Sequence, residues 1–289
     1  MSAPALPQPE RVFAVYGFEF ARQFDVGDIR VVPLFSGPEA KERARDKDRY
    51  QLTGYGQFKV NWPDEWSAWE RVRLLATGMT FAQQQEVFTS RIVQMSQGDS
   101  VPDLLSEERL GRPIPAINDR HTFGEAIAAD SWSAGSREAF LNAFVNRFAV
   151  EIAGDALRLS FFRQAEIWRL ATPFVELHHF LAFSALELLA RSSGMNAANG
   201  NAAVPITDLL NRHGFSTTQA EIQKWCCARN AAFHRGLLVS IDPQDGQEVR
   251  LTEQIVPLTQ VLCDVLLKEL QFDDGHINWN RWRDRMGFR

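Results

Sequence analysis

The sequence is poor in cysteine, has no surplus of basic charge and contains no long hydrophobic run. Its three cysteines, Cys226, Cys227 and Cys263, are an odd number, and two of them adjoin. Neighbouring cysteines on a helix do not bridge each other easily, and an odd count fits no secreted disulfide framework, so a reducing, cytoplasmic setting is expected. The most apolar stretch, Phe180 to Ala190, falls well short of the roughly 20 residues that span a bilayer, and no membrane role is expected. The first ten residues contain Pro4, Pro7 and Pro9 but neither the basic nor the apolar segment of a signal peptide, and they read as a loose tail. Against 31 Lys and Arg stand 36 Asp and Glu, a net charge of −5. Proteins that coat nucleic acid by bulk electrostatics are basic, so any nucleic-acid role must rest on a local positive site.

Several chemical signatures are missing too. There is no Walker-type loop, no Gly-x-Gly-x-x-Gly after a strand and no Gly-x-Ser-x-Gly elbow. His178-His179 with Glu176 invites a metal reading, but neither an H-E-x-x-H pattern nor paired Cys/His spacing supports it. No metal and no cofactor is expected. No repeat of fixed period occurs either.

What is present is ordinary globular material. The 289 residues are 45% hydrophobic and 23% charged, with 21 Phe and eight Trp to fill a core, enough for one large or two ordinary domains. From Arg11 to about Val60, short partly alternating runs are punctuated by glycine and rich in β-branched and aromatic residues. The runs 12–16, 28–35 and 50–60 read as strands, and the charged segment 39–49 as a solvated loop or helix. Over 64–97, Thr80 is a candidate helix cap with Gln83 at the capping-box position. Residues 98–120, rich in Pro, Gly, Ser and Asp, suggest a long loop or a domain edge. From about Ser136 helical periodicity takes over, with helices expected over 137–149, 161–192, 206–213, 218–235 and 249–271. The fourth carries a capping box, Thr218-x-x-Glu221, and a terminal Gly236. Pro257 is expected to kink or divide the fifth. The fold class expected is therefore an α+β N-terminal domain, 11–130, followed by an all-α bundle, 136–289, with the boundary somewhere in 120–150.

The chemistry concentrates in Trp225-Cys-Cys-Ala-Arg229-Asn230-Ala-Ala-Phe-His234-Arg235-Gly236. His234 can exchange protons near neutral pH, and the planar fork of Arg229 suits phosphate oxygens. Asn230 shares a helix face with His234, where its amide can orient the imidazole or meet a ribose. Arg229 lies five residues from His234, about 140° around a helix, so one helix does not present the two side by side. Glu187 sits where nine of eleven residues, 180–190, are apolar, and a carboxylate there needs a partner. Bland readings stand beside these. A His near a helix C-terminus meets the dipole favourably, and Glu187 suits a plain salt bridge equally well. Cys226-Cys227 reads as helix core and Asp273-Asp274 as a helix exit. The tail from Trp279 to Arg289 interleaves four arginines with aromatics against one acid. That composition suits phosphates and unstacked bases, and equally suits packing on the N-terminal half.

The order Arg-Asn-x-x-x-His before a glycine at a helix end resembles the R-x4–6-H signature of HEPN domains. The upstream helix Phe180-Leu-Ala-Phe-Ser-Ala-Leu-Glu187 resembles the acid-bearing apolar helix of that family's Apea-like branch. The resemblance covers roughly residues 160–272. It implies a metal-independent endoribonuclease of RNA, acting by attack of the ribose 2′-hydroxyl, with Arg229 and His234 catalytic and Asn230 and Glu187 in support. It further implies a homodimer with a composite site and a role in phage defence or stress-induced growth arrest, with a regulatory ligand or trigger acting at the N-terminal domain. The rival is a non-catalytic dimerisation or interaction module joined to a ligand-binding N-terminal domain. A nucleotide-binding accessory of a transferase is a third reading.

Overall fold

The first strand, Arg11–Tyr16 (β1), alternates too weakly for a half-exposed strand because both of its faces are covered. Its neighbours explain this. A computed structural model describes residues 10–46, 48, 50–60, 64–96, 99–105, 124–150, 152, 154–169, 174–194, 201–279, 281 and 288. In it β1 lies inside an antiparallel sheet with Phe24–Val26 (β2), Ile29–Pro33 (β3), Leu52–Phe58 (β4), Phe88–Thr89 (β5) and Val93–Gln94 (β6). The order is β2-β3-β4-β1-β5, with β6 also paired to β1. On one face, Val12 and Ala14 pack on Leu104 and Leu105 beside a four-residue helix, Val101–Leu104. On the other, the Phe13 ring meets Phe58 at 5.8 Å.

Two glycines make that second face possible. A methyl group on Gly56 of β4 would overlap the Phe13 ring, and one on Gly54 would overlap the Phe20 ring and the Val32 carbonyl. The distal edges of the rings sit against bare backbone, so a methyl at either position forces the ring or the backbone to shift.

The helix Gly37–Ala44 (α1) resolves the charged segment as helix, and Glu65–Gln83 (α2) follows. Here the reading of Thr80 as a cap is corrected. The cap is Asp64, whose carboxylate accepts from the Ser67 amide at 2.7 Å. Thr80 lies inside α2, where its hydroxyl accepts from the Val87 amide at 3.1 Å. From Leu74 to Gln83 every α2 residue is buried, which erases the one-sided periodicity that would have revealed the helix. Residues 106–123, most of the expected loop over 98–120, lie outside the described residues; Val101–Leu104 (α3) falls at its start.

The chain divides into two units, 1–149 and 150–289. Helix Ser136–Arg147 (α4), expected with the helical half, belongs to the first. Phe140 stacks on Phe81 of α2 at 5.3 Å, and Asn142 donates to the Asp25 carbonyl of β2 at 2.7 Å. Buried Arg137 donates to the Glu19 carbonyl and lies 3.3 Å from the Glu125 carboxylate. The first unit is thus α+β, and the second is mostly helical.

That second unit contains Ala156–Arg169 (α5), Val175–Ser192 (α6), Ala203–Arg212 (α7), Gln219–Arg235 (α8) and Leu251–Glu269 (α9). The single helix expected over 161–192 is two, and Pro173, which offers no N–H, lies between them in the sequence. Helix α6 touches each of the other four. Helix α8 has the expected ends: the Thr218 hydroxyl accepts from the Glu221 amide, the Glu221 carboxylate accepts from the Thr218 amide, and Gly236 turns left-handed at φ 65°. Helix α9 runs through Pro257 undivided, its buried face of Ile255, Leu258, Val261, Leu262, Val265 and Leu266 offsetting the lost hydrogen bond. A small hairpin, Val239–Ile241 (β7) with Glu248–Arg250 (β8), interrupts the otherwise helical order. Asp273 and Asp274 close turns just after α9 by accepting from the Gly275 and His276 amides. No described helix is long and apolar enough to cross a membrane.

After α9, the guanidinium of Arg281 pairs with the fully buried carboxylate of Asp264 and donates to Cys263 Sγ at 3.1 Å. Burial is the largest influence on Asp264 and raises its carboxyl to about 6, while Arg281 and Lys268 pull it down. A raised carboxyl favours the folded chain when protonated, so that contribution is full below pH 3.8 and lost as pH rises through about 6.

Two outcomes follow from this packing. Gly56→Ala lowers stability by about 1–3 kcal/mol, seen as a lower urea midpoint at unchanged slope. A loss under about 0.5 kcal/mol would mean that the Phe13 ring moves aside freely. Arg281→Met costs about 3–5 kcal/mol at neutral pH, because it leaves Asp264 buried without its cation. Part of that loss returns in urea titrations near pH 5, where the carboxyl is protonated; a loss independent of pH would refute the cause.

Candidate functional site

Helix α8 is built with one face of small residues. Ala228 and Ala232 pack with Val249 and Leu251, while Trp225 and Cys226 are buried. This seats the helix close to its neighbours and leaves Asn230, Phe233, His234 and Arg235 exposed, with Arg229 between the two sides.

Arg229 reaches across to α6. Its Nη2 lies 3.7 Å from Glu187 Oε2, its guanidinium carbon sits 5.4 Å above the Phe183 ring, and its Nη1 donates to Asn230 Oδ1 at 2.9 Å. Phe183 and Glu187 are four residues apart on α6, so one helix face supplies both the aromatic floor and the counter-charge. Glu187 is not fully buried, as its apolar setting suggested; its side chain is 20% exposed. Its other oxygen, Oε1, accepts two bonds from Arg191, from Nε at 2.9 Å and from Nη2 at 2.7 Å.

Of the four residues expected at the site, the fold therefore brings together Glu187, Arg229 and Asn230. It does not bring His234 to them. The Asn230 amide oxygen serves Arg229, and no hydrogen bond joins Asn230 to His234 among the described residues. The imidazole of His234 makes no hydrogen bond or ion pair among the described residues and is open to solvent. Arg229 points toward α6 while His234, five residues on, projects from the end of α8. The Phe233 ring beside His234 is 45% exposed and lies 4.8 Å from the Phe180 ring. With Leu237, Leu238 and Val239 it makes an apolar surface next to the motif.

Sequence reasoning missed Arg191, although Glu187-x-x-x-Arg191 is the spacing at which a helical acid and base meet. It also missed Phe183, whose role arises only when α8 crosses α6.

The other candidates are absorbed by the core. His178 Nε2 is 3.0 Å from the Thr259 hydroxyl, and His179 stacks on Phe183 at 6.0 Å with both ring nitrogens unpartnered among the described residues. Burial lowers both imidazoles to about 4, with His178 and Arg229 adding to the effect on His179. No group of three metal-ligating side chains occurs among the described residues. Burial pushes the Cys226 thiol up to about 12, so it supplies no thiolate at neutral pH. In the tail, Trp279 lies against Lys268 Nζ at 3.7 Å, and Arg281 is spent on Asp264 within its own unit. Residues 282–287 of the interleaved tail lie outside the described residues.

No protein-family model, no curated protein and no solved structure matches this chain.

The depressed imidazoles carry a pH signature. Their contribution to stability is present above pH 6.5 and is lost as pH falls toward about 4, because folding must keep both rings neutral. His179→Phe keeps the ring contact with Phe183 and removes one of the two groups. Chemical denaturation from pH 7 to 4.5 then shows a shallower decline for the variant than for the parent. Parallel curves would mean that His179 is accessible to protons in the folded chain.

Proposed function

We propose that this chain is a metal-independent endoribonuclease of HEPN type, acting in the cytoplasm as a homodimer. One observation supports this reading above the rest: a half-exposed guanidinium held by a carboxylate and an amide shares the end of α8 with a solvent-open imidazole. RNA cleavage by the neighbouring 2′-hydroxyl needs a base for that proton, donors for the charge on the phosphorane and an acid for the departing 5′-oxygen. Arg229 serves as donor, with its direction set by Glu187 and Asn230. His234 serves as base. A second copy supplies the second imidazole, which protonates the leaving oxygen, and closes the angular gap that a single α8 leaves between Arg229 and His234. The O2′–P bond forms, the P–O5′ bond breaks, and the products are a 2′,3′-cyclic phosphate and a 5′-hydroxyl. The substrate is single-stranded or looped RNA, since duplexes constrain the in-line geometry. The role is defence against phage or growth arrest under stress, with the N-terminal unit receiving the trigger.

A second reading rests on the apolar surface of Phe180, Phe233, Leu237, Leu238 and Val239: a non-catalytic interaction module with a ligand-binding N-terminal unit. Purified protein incubated with total RNA in EDTA separates the two. Cleavage that persists in EDTA and falls about 10²–10⁴-fold in His234→Ala and in Arg229→Ala is the expected result. Cleavage that survives both substitutions, or disappears with EDTA, refutes the mechanism. A dimer that binds RNA or a partner without cutting favours the module.

A further inference from the structure

Glu187 is one carboxylate serving two guanidinium groups. Arg191 takes Oε1 with two hydrogen bonds, and Arg229 approaches Oε2. The trio therefore carries one uncompensated positive charge on a chain whose net charge is −5. It is also open to solvent: the side chains of Arg191 and Arg229 are 37% and 32% exposed. The donors have not all been used. Arg191 spends Nε and Nη2 on Glu187, while Arg229 spends Nη1 on Asn230 and faces Glu187 with Nη2 as an ion pair at 3.7 Å. That leaves Arg191 Nη1 and Arg229 Nε without a hydrogen bond among the described residues.

A surplus charge, two unspent planar donors and a carboxylate holding both forks in place make a receptor for a tetrahedral oxyanion. A simple surface pair between Glu187 and Arg191 would not need Arg229, and a simple Glu187–Arg229 pair would not need Arg191. We propose that Arg191 and Arg229 together bind a phosphate group through its non-bridging oxygens, with Glu187 setting their separation. Arg191 is thus a substrate-binding residue that neither the motif nor its spacing from His234 indicates. The inference rests on the reading of RNA as substrate for the choice of phosphate. The source is either a backbone phosphodiester or the terminal phosphate of a nucleotide.

The test uses binding, which needs no turnover. The probe is a fluorescent 2′-O-methyl oligoribonucleotide without terminal phosphates, titrated with the full-length protein over a series of salt concentrations. A parallel arm measures binding of AMP. Each phosphate contact on a single strand contributes about 0.7 to the slope of log affinity against log salt. Arg191→Ala is expected to weaken binding several-fold and to flatten that slope by about 0.7, while Arg191→Lys retains the slope. Glu187→Gln keeps the side chain's length and an acceptor oxygen for Arg191 while removing the competing negative charge, and is expected to tighten binding. A purely structural role for the trio predicts weaker binding in all three variants. Loss confined to the AMP arm identifies the terminal phosphate as ligand, and loss in the oligonucleotide arm identifies the backbone. If Arg191→Ala binds both probes like the parent, or Glu187→Gln weakens binding, the proposal is overturned. Should Arg191→Ala fail to fold by circular dichroism, Arg191→Gln with Glu187→Gln carries the comparison. Binding that follows this pattern in a protein that cuts no RNA removes the nuclease and leaves the phosphate site. Cleavage dependent on His234 but indifferent to Arg191 does the reverse.

Discussion

The direction of the Arg229 side chain depends on one carboxylate across the helix crossing, joined by the amide of its neighbour Asn230. Glu187 is anchored by Arg191 on its own helix and presents its free oxygen to α8. Without that anchor a long side chain on a half-exposed helix would sample many rotamers, at a conformational cost to any complex it joined. The anchor itself sits on α6, which touches each of the other four described helices of its unit, so an element held from several sides carries the group that does the orienting. Phe183 adds an aromatic face below the guanidinium, at a distance where the cation and the ring attract.

Elsewhere the same acidic chain keeps arginines inside. Arg137 of α4 lies 3.3 Å from the Glu125 carboxylate, and Arg281 closes on Asp264 behind α9. A buried pair of this kind adds little net stability over well-packed apolar residues, but it leaves few alternative arrangements, because either partner alone is a buried charge. Each unit thus fixes one helix by a rule of pairing that greasy contact alone would not enforce.

Much of this was legible along the chain. The three longest strands follow from their glycine punctuation and β-branched content, and α8 announced both ends through Thr218, Glu221 and Gly236. Local chemistry sufficed there because the caps bind their own helix. It failed where distant contacts decide. The Thr80 pattern imitated a cap inside a helix whose burial on all sides hid its period. The allotment of α4 to the bundle failed because its partners, β2 and α2, lie far back in the sequence. At the site, Arg229, Asn230 and Glu187 were legible as residue types. That Asn230 turns to Arg229, and that Arg191 completes the group, depends on how α8 crosses α6.

The bare backbone of β4 has an evolutionary corollary. Where a ring rests directly on Gly54 or Gly56, side-chain bulk on one strand is exchanged against bulk on another part of the fold. A lineage that acquires a methyl at position 56 must thin position 13 at nearly the same time, and Phe20 stands in the same relation to position 54. These positions should drift as couples, and a multiple alignment of the sheet would record them as correlated columns amid otherwise independent change.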